Sequence, residues 1–231
     1  MMDAIHSAAW LLATDTPALP SAGVMRLGLT VGWALVLALL GAGLGFRLAA
    51  GARRLLALAL ALWTLVPGPA SPDYWLGLAF HAPSLSAMLL CAWGLQRLLF
   101  APPHQAGTAP VPSAPLWLLA LGVLPGYALM LDTFAALPLQ IYAWGFSPLA
   151  LLCLLAVSLL PGLRRRLPLA WGVPEVWVAP AALLLFAATR LPTGNVWDAL
   201  TDPWLWLFLN GVLLRALFRR WRGARLREPQ V

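Results

Sequence analysis

Residues 27–46, LGLTVGWALVLALLGAGLGF, run for twenty positions without a charge and are closed at both ends by arginine, Arg26 and Arg47. A helix of that length rises about 30 Å, the thickness of a bilayer's hydrocarbon core. Similar apolar runs follow at residues 55–66, 72–100, 116–131, 148–163, 175–189 and 203–218. With 61% of residues hydrophobic and 10% charged, the chain is far from a soluble domain, which is about half apolar and about a quarter charged. The pattern predicts an all-α, polytopic transmembrane bundle of about seven spans. Residues 1–231 then form a single integral membrane domain. The N-terminal segment 1–26 carries Asp3 and Asp15 where a signal peptide carries a basic leader, so it is expected to be retained.

Arginine placement predicts the orientation. The turns after the first, third, fifth and seventh runs hold Arg47, Arg53 and Arg54; Arg97; Arg164, Arg165 and Arg166; and the tail 219–231. Most acids fall on the other side: Asp3, Asp15, Asp73, Asp132, Asp198 and Asp202. Cytoplasmic loops are the basic ones, which puts the N-terminus outside and the C-terminus in the cytoplasm. Segment 1–26 becomes extracytoplasmic, and the Pro-rich linker 101–115 and the tail become cytoplasmic. All fifteen basic residues are arginine and lysine is absent. With the abundant Ala, Gly and Pro, this is the usage of a GC-rich bacterial genome, so the bacterial inner membrane is the expected location. The net charge of +7 gathers at span ends and forms no broad basic face. Nucleic acid is not expected; the expected partners are the lipid bilayer and a membrane protein or a second copy of the chain.

Proline interrupts several runs. Pro83 divides residues 72–100 into either one kinked helix or a short interfacial helix followed by a span, and Pro125 interrupts the fourth run. Residues 132–147 mix aromatics with isolated polar groups and are expected to lie along the interface.

Chemistry is sparse. There is no cofactor fingerprint, metal-ligand spacing or hydrolase signature, so no cofactor and no metal are expected. His6 and His104 lie in the N-terminal segment and the linker, leaving His81 without a partner for membrane haem. The candidates for an outer-face site are His81, Arg190, Asp198, Asp132 and Asp73, with Asp202. Each also has a structural reading. Asp202 before Pro203 is a helix cap, since Asp is favoured at the N-cap and Pro at the first helical position. On that reading Asp202→Asn is expected to be mild. Asp198 falls in the first turn of a short helix capped by Thr193 or Asn195. If residues 195–202 formed one helix, spacing four would put both carboxylates on one face and suit them to acid/base work. His81 reads as a group serving the backbone opened by Pro83. Cys91 and Cys153 read as small apolar packing residues. In residue types alone, Cys153, His81 and Arg190 resemble the Cys, Arg and His set of the exosortase family of membrane transpeptidases. The order here is His, Cys, Arg, and no local motif matches. Asn210 reads as helix-helix glue.

Three functions are expected in order: a non-catalytic membrane-complex subunit or assembly factor; a membrane enzyme whose outer-face polar site acts on a lipid-linked or exported substrate; and a small transporter.

Overall fold

The structure, a computed structural model, describes residues 11–15, 17–100, 116–136, 139–163 and 174–225. The linker 101–115 and parts of the N-terminal segment and basic tail lie outside the described residues. Within them the elements are helical and no strand occurs. We number the helices α1 (Ala22–Leu44), α2 (Ala50–Trp63), α3 (Pro72–Phe80), α4 (Leu85–Phe100), α5 (Leu116–Thr133), α6 (Ile141–Trp144), α7 (Pro148–Leu163), α8 (Val178–Thr189), α9 (Val196–Leu200) and α10 (Pro203–Arg225).

Each expected apolar run contains a helix, but their lengths differ. Two helical stretches, Ala22–Arg47 and Leu116–Thr133, are long and apolar enough to cross a membrane. α2, α4, α7 and α8 have 14, 16, 16 and 12 residues, which makes them about 18 to 24 Å long. Local signals explain where they stop. α8 ends at Arg190, which adopts a left-handed conformation (φ 59) and donates its backbone N–H to the Phe186 carbonyl at 2.7 Å. Between α3 and α4 the chain leaves the helix at residues 81–84, so Pro83 separates a nine-residue helix from the following one. α6 has only four residues.

Helix starts follow their caps. Ser147 accepts from the Ala150 N–H ahead of Pro148, and Ser84 accepts from the Ala87 N–H, each at 3.2 Å. Such caps satisfy amide groups that have no partner inside the helix.

Small residues let the helices approach closely, the means by which helices associate where no water drives them together. α1 and α2 form an antiparallel pair through Ala38, Ala42 and Ala57. A Cβ on Gly41 would stand 2.4 Å from Leu60. α1 also runs beside α4, with Gly32 against Met88 and Leu39 against Gly94. A second core joins α4, α7, α8 and α9 through Leu85, Met88, Leu151, Leu183, Phe186 and Val196. α10 packs on α5, where Gly122 meets Leu209 and Gly126 meets Trp206. Tyr127 donates its hydroxyl to Asn210 Oδ1 across that pair at 2.9 Å, and Trp206 Nε1 donates to the Val123 carbonyl at 3.1 Å.

This packing sorts the charges. At one end, Arg53 and Arg54 of α2 donate to the Leu98 and Leu99 carbonyls in the last turn of α4, at 2.6 and 2.9 Å. At the opposite end of α4, Asp202 accepts from the Ser84 N–H and hydroxyl.

Candidate functional site

The site lies where α1, α3, α4, α9 and α10 converge. After α8 the chain turns through Gly194 (φ 86), and the Asn195 side chain caps α9 by accepting the Trp197 N–H at 3.0 Å. α9 lasts five residues. Thr201 is extended (φ −146, ψ 147), and α10 opens at Pro203. Residues 195–202 are therefore not one helix, and the two carboxylates do not share a helical face. The break comes one residue earlier than the restriction on residues preceding proline requires.

Asp198 turns towards α6. Its Oδ2 accepts from the Tyr142 hydroxyl at 2.8 Å and from the Thr193 hydroxyl at 2.5 Å. Burial, the adjacent Asp198 charge and the hydrogen bond to it push the Tyr142 phenol up to about 12, so it remains a donor at neutral pH. Asp202 faces the other way and joins two helix starts. Its Oδ1 accepts the Leu205 N–H of α10 at 2.8 Å, while Oδ2 accepts the Ser84 N–H at 2.9 Å and the Ser84 hydroxyl at 2.7 Å at the start of α4. The positive ends of both helices thus meet one carboxylate.

The remaining candidates are distributed around this centre. Asp73 accepts from the Thr30 hydroxyl at 2.6 Å and from Ser71, tying α3 to α1. Asp132 accepts the Tyr142 N–H at 2.8 Å and so anchors α6. His81 occupies φ 60, ψ −162, a region almost restricted to glycine. Its carbonyl accepts from Trp33 Nε1 at 2.9 Å, which stabilises this geometry and leaves the imidazole exposed. Proline's disruption is thus met by Trp33 acting on the His81 backbone, and the imidazole is not needed for it. Arg190 stacks its guanidinium over Phe186, 5.3 Å from the ring centre.

A cleft of about 630 Å³ opens at this end. Its lining includes Arg26, His81, Tyr142, Thr193, Asp198 and Asp202. His81 and Asp198 are therefore brought to one cavity, whereas Arg190, Asp73, Asp132 and Cys153 are not among its walls. The triad of His81, Cys153 and Arg190 does not assemble; Cys153 lies exposed on α7. Among the described residues no three of His, Cys, Asp and Glu gather as a metal site would require. A second cavity of about 300 Å³ runs between α5 and α10 on one side and α4, α7 and α8 on the other, lined mainly by Leu and Val. Thr201 lines both cavities.

Sequence reasoning missed Tyr142 and Ser84, whose links to Asp198 and Asp202 span 56 and 118 residues. It also passed over Arg26 as a topology signal. The molecule belongs to the class of all-helical proteins with apolar outer faces and a polar cleft at one end. No family model matches the chain, and neither the curated proteins nor the solved structures contain a match.

Proposed function

We propose that the chain is a multi-pass inner-membrane protein of about seven spans, N-terminus outside and C-terminus cytoplasmic, acting as a non-catalytic subunit or assembly factor of a membrane complex. The observation that carries this reading is the outward face of α10. Leu207, Gly211, Leu214 and Phe218 follow a four-three-four spacing, and the three large side chains are 54%, 66% and 49% exposed. That is the spacing of a helix-helix seam. Gly211 gives it a notch, since a Cβ there would meet nothing within 4 Å, and small residues at such positions allow close approach of a second membrane helix. The occupant is thus a transmembrane helix of a partner protein. Engagement of Asp132 and Asp202 with helix starts, and of Asp73 in a bond that ties α3 to α1, supports the non-catalytic part. Large apolar side chains exposed on α1, α2, α5, α7 and α8 support embedding in lipid, because such continuous apolar surface is unfavourable in water.

Gly211→Trp tests the seam. The variant should fold normally, because the position opens into free space, and should migrate as a smaller species than the native protein on a native gel of gently solubilised membranes. Leu124→Trp, at an exposed position on α5, should leave the complex intact. A native protein that migrates as a monomer sinks the subunit reading. Orientation has its own readout: a cysteine placed at Ala70 should react with an impermeant reagent in intact cells, and one at Thr108 should not. The reverse pattern would invert the topology.

The polar cleft favours a second reading, an outer-face site for a lipid-linked or exported substrate. Transport has less support, because the groove reaching Leu121 and Leu154 in the middle of α5 and α7 is chiefly apolar.

A further inference from the structure

We infer that the cleft and the groove together hold one phospholipid with an ethanolamine headgroup, its phosphate at Arg26, its ammonium at Asp198 and one acyl chain in the groove behind Thr201. The inference rests on the membrane-embedded reading above and does not depend on the α10 seam.

The headgroup follows from which charges remain open. Arg26 is exposed and makes no ion pair or hydrogen bond among the described residues, whereas Arg190, the other arginine at this end, covers Phe186. Arg26 sits near the start of α1, where the helix dipole disfavours a cation and an anion beside it is favoured. A guanidinium fork suits phosphate oxygens. Asp202 is not open in this way, since both its oxygens accept hydrogen bonds and two helix starts compensate its charge. Asp198 differs. Its Oδ2 takes both hydroxyls, and its Oδ1 accepts nothing among the described residues. Among the described residues, the lining of the cleft therefore includes a cation without an ion pair, Arg26, and a carboxylate with one oxygen unused, Asp198.

A phosphoethanolamine headgroup carries the complementary pair on adjacent groups, and its ammonium has protons to donate to Oδ1. A choline headgroup has no such proton. A glycerol headgroup carries no cation to set against the Asp198 carboxylate.

The acyl chain follows from continuity. Thr201 is the wall shared by the polar cleft and the apolar groove, and the groove passes Leu154 and Val157 on its way to Leu118 and Pro161. A ligand polar at one end and long and apolar at the other fits the two together. The Thr201 hydroxyl oxygen is buried and has no hydrogen-bond partner among the described residues, which is unusual for a buried polar atom. A hydroxyl on the wall common to cleft and groove suits the ester carbonyls of a lipid that occupies both.

Native mass spectrometry of the detergent-solubilised full chain, offered equal amounts of ethanolamine, choline and glycerol phospholipids, tests this assignment. The ethanolamine lipid should be retained preferentially at one per chain. Arg26→Ala, which removes no hydrogen bond or ion pair among the described residues, should weaken retention roughly tenfold, the effect of losing one charge-assisted hydrogen bond. Val157→Trp, at an exposed groove position, should weaken it by blocking the chain. Phosphoethanolamine without acyl chains should not displace the lipid. Equal retention of the three lipids, or unchanged retention in Arg26→Ala, overturns the headgroup assignment; displacement by free phosphoethanolamine, or unchanged retention in Val157→Trp, overturns the groove's part. Ala70 labelling keeps the two readings apart. A reversed topology leaves lipid retention in detergent untouched, and loss of headgroup preference with the expected labelling removes the lipid assignment alone.

Discussion

Asp202→Ala is expected to lower the stability of the detergent-solubilised protein by about 2 to 4 kcal/mol, more than a single lost helix cap. The substitution removes acceptors from the starts of two helices at once, the Leu205 N–H of α10 and the Ser84 N–H and hydroxyl of α4. Ser84 is fully buried, so its amide has no water to replace the lost partner. Asp202→Asn, mild for a residue that caps one helix, is also expected to destabilise, by about 1 to 3 kcal/mol. An asparagine has one carbonyl oxygen and one NH2 group, so whichever helix start receives the oxygen, the other faces a donor. Thermal unfolding of the three proteins in one detergent provides the check. An Asn variant as stable as the native protein would show that the link to Ser84 contributes nothing and that Asp202 serves α10 alone.

The contrast between Asp and Asn at this position also marks what local sequence can reveal. Thr201-Asp202-Pro203 announces a helix start in three residues, and α10 begins there. The break around Pro83 was legible for the same reason: caps and proline constraints act on neighbours. The second role of Asp202 was not legible, because its partner lies 118 residues away and depends on the fold bringing the starts of α4 and α10 together. Arg190 shows the opposite failure. It is close to Asp198 in sequence, but a left-handed residue ends α8 and directs its guanidinium back over Phe186. Apolar runs located the helices because burial and hydropathy follow composition. They did not yield helix lengths, since termination at Arg190 and His81 depends on unusual backbone angles that residue type alone does not forecast. The site was legible as a side of the molecule and a set of polar residues. Which of those residues share the cleft was decided by tertiary contacts from α1 and α6.

The contact between α6 and α9 carries the other large expected effect. Asn195 is fully buried, accepts the Trp197 N–H at 3.0 Å and donates to the Tyr142 carbonyl at 2.9 Å. Beside it, Gly145 ends α6 and accepts the Val196 N–H at 2.9 Å. A Cβ on Gly145 would lie 1.9 Å from Asn195 Oδ1 and 2.5 Å from Trp197 Cδ1. Neither atom can yield cheaply, because Trp197 is itself held by its Nε1 donating to the Ile141 carbonyl at 2.9 Å. Gly145→Ala should therefore cost about 3 kcal/mol, at the upper end of the usual range for overpacking. Asn195→Ala should cost about 1 to 3 kcal/mol, since it removes a cap and one of the two donors to the Tyr142 carbonyl, which keeps the Gly145 N–H at 3.0 Å. The double variant separates packing from hydrogen bonding. Once Asn195 Oδ1 is gone, the added methyl meets only the Trp197 ring, so the combined loss should fall short of the sum by about 1 kcal/mol or more. Strict additivity in unfolding measurements on the four proteins of this cycle would mean that Gly145 and Asn195 do not contact each other, and the α6–α9 joint described here would be wrong.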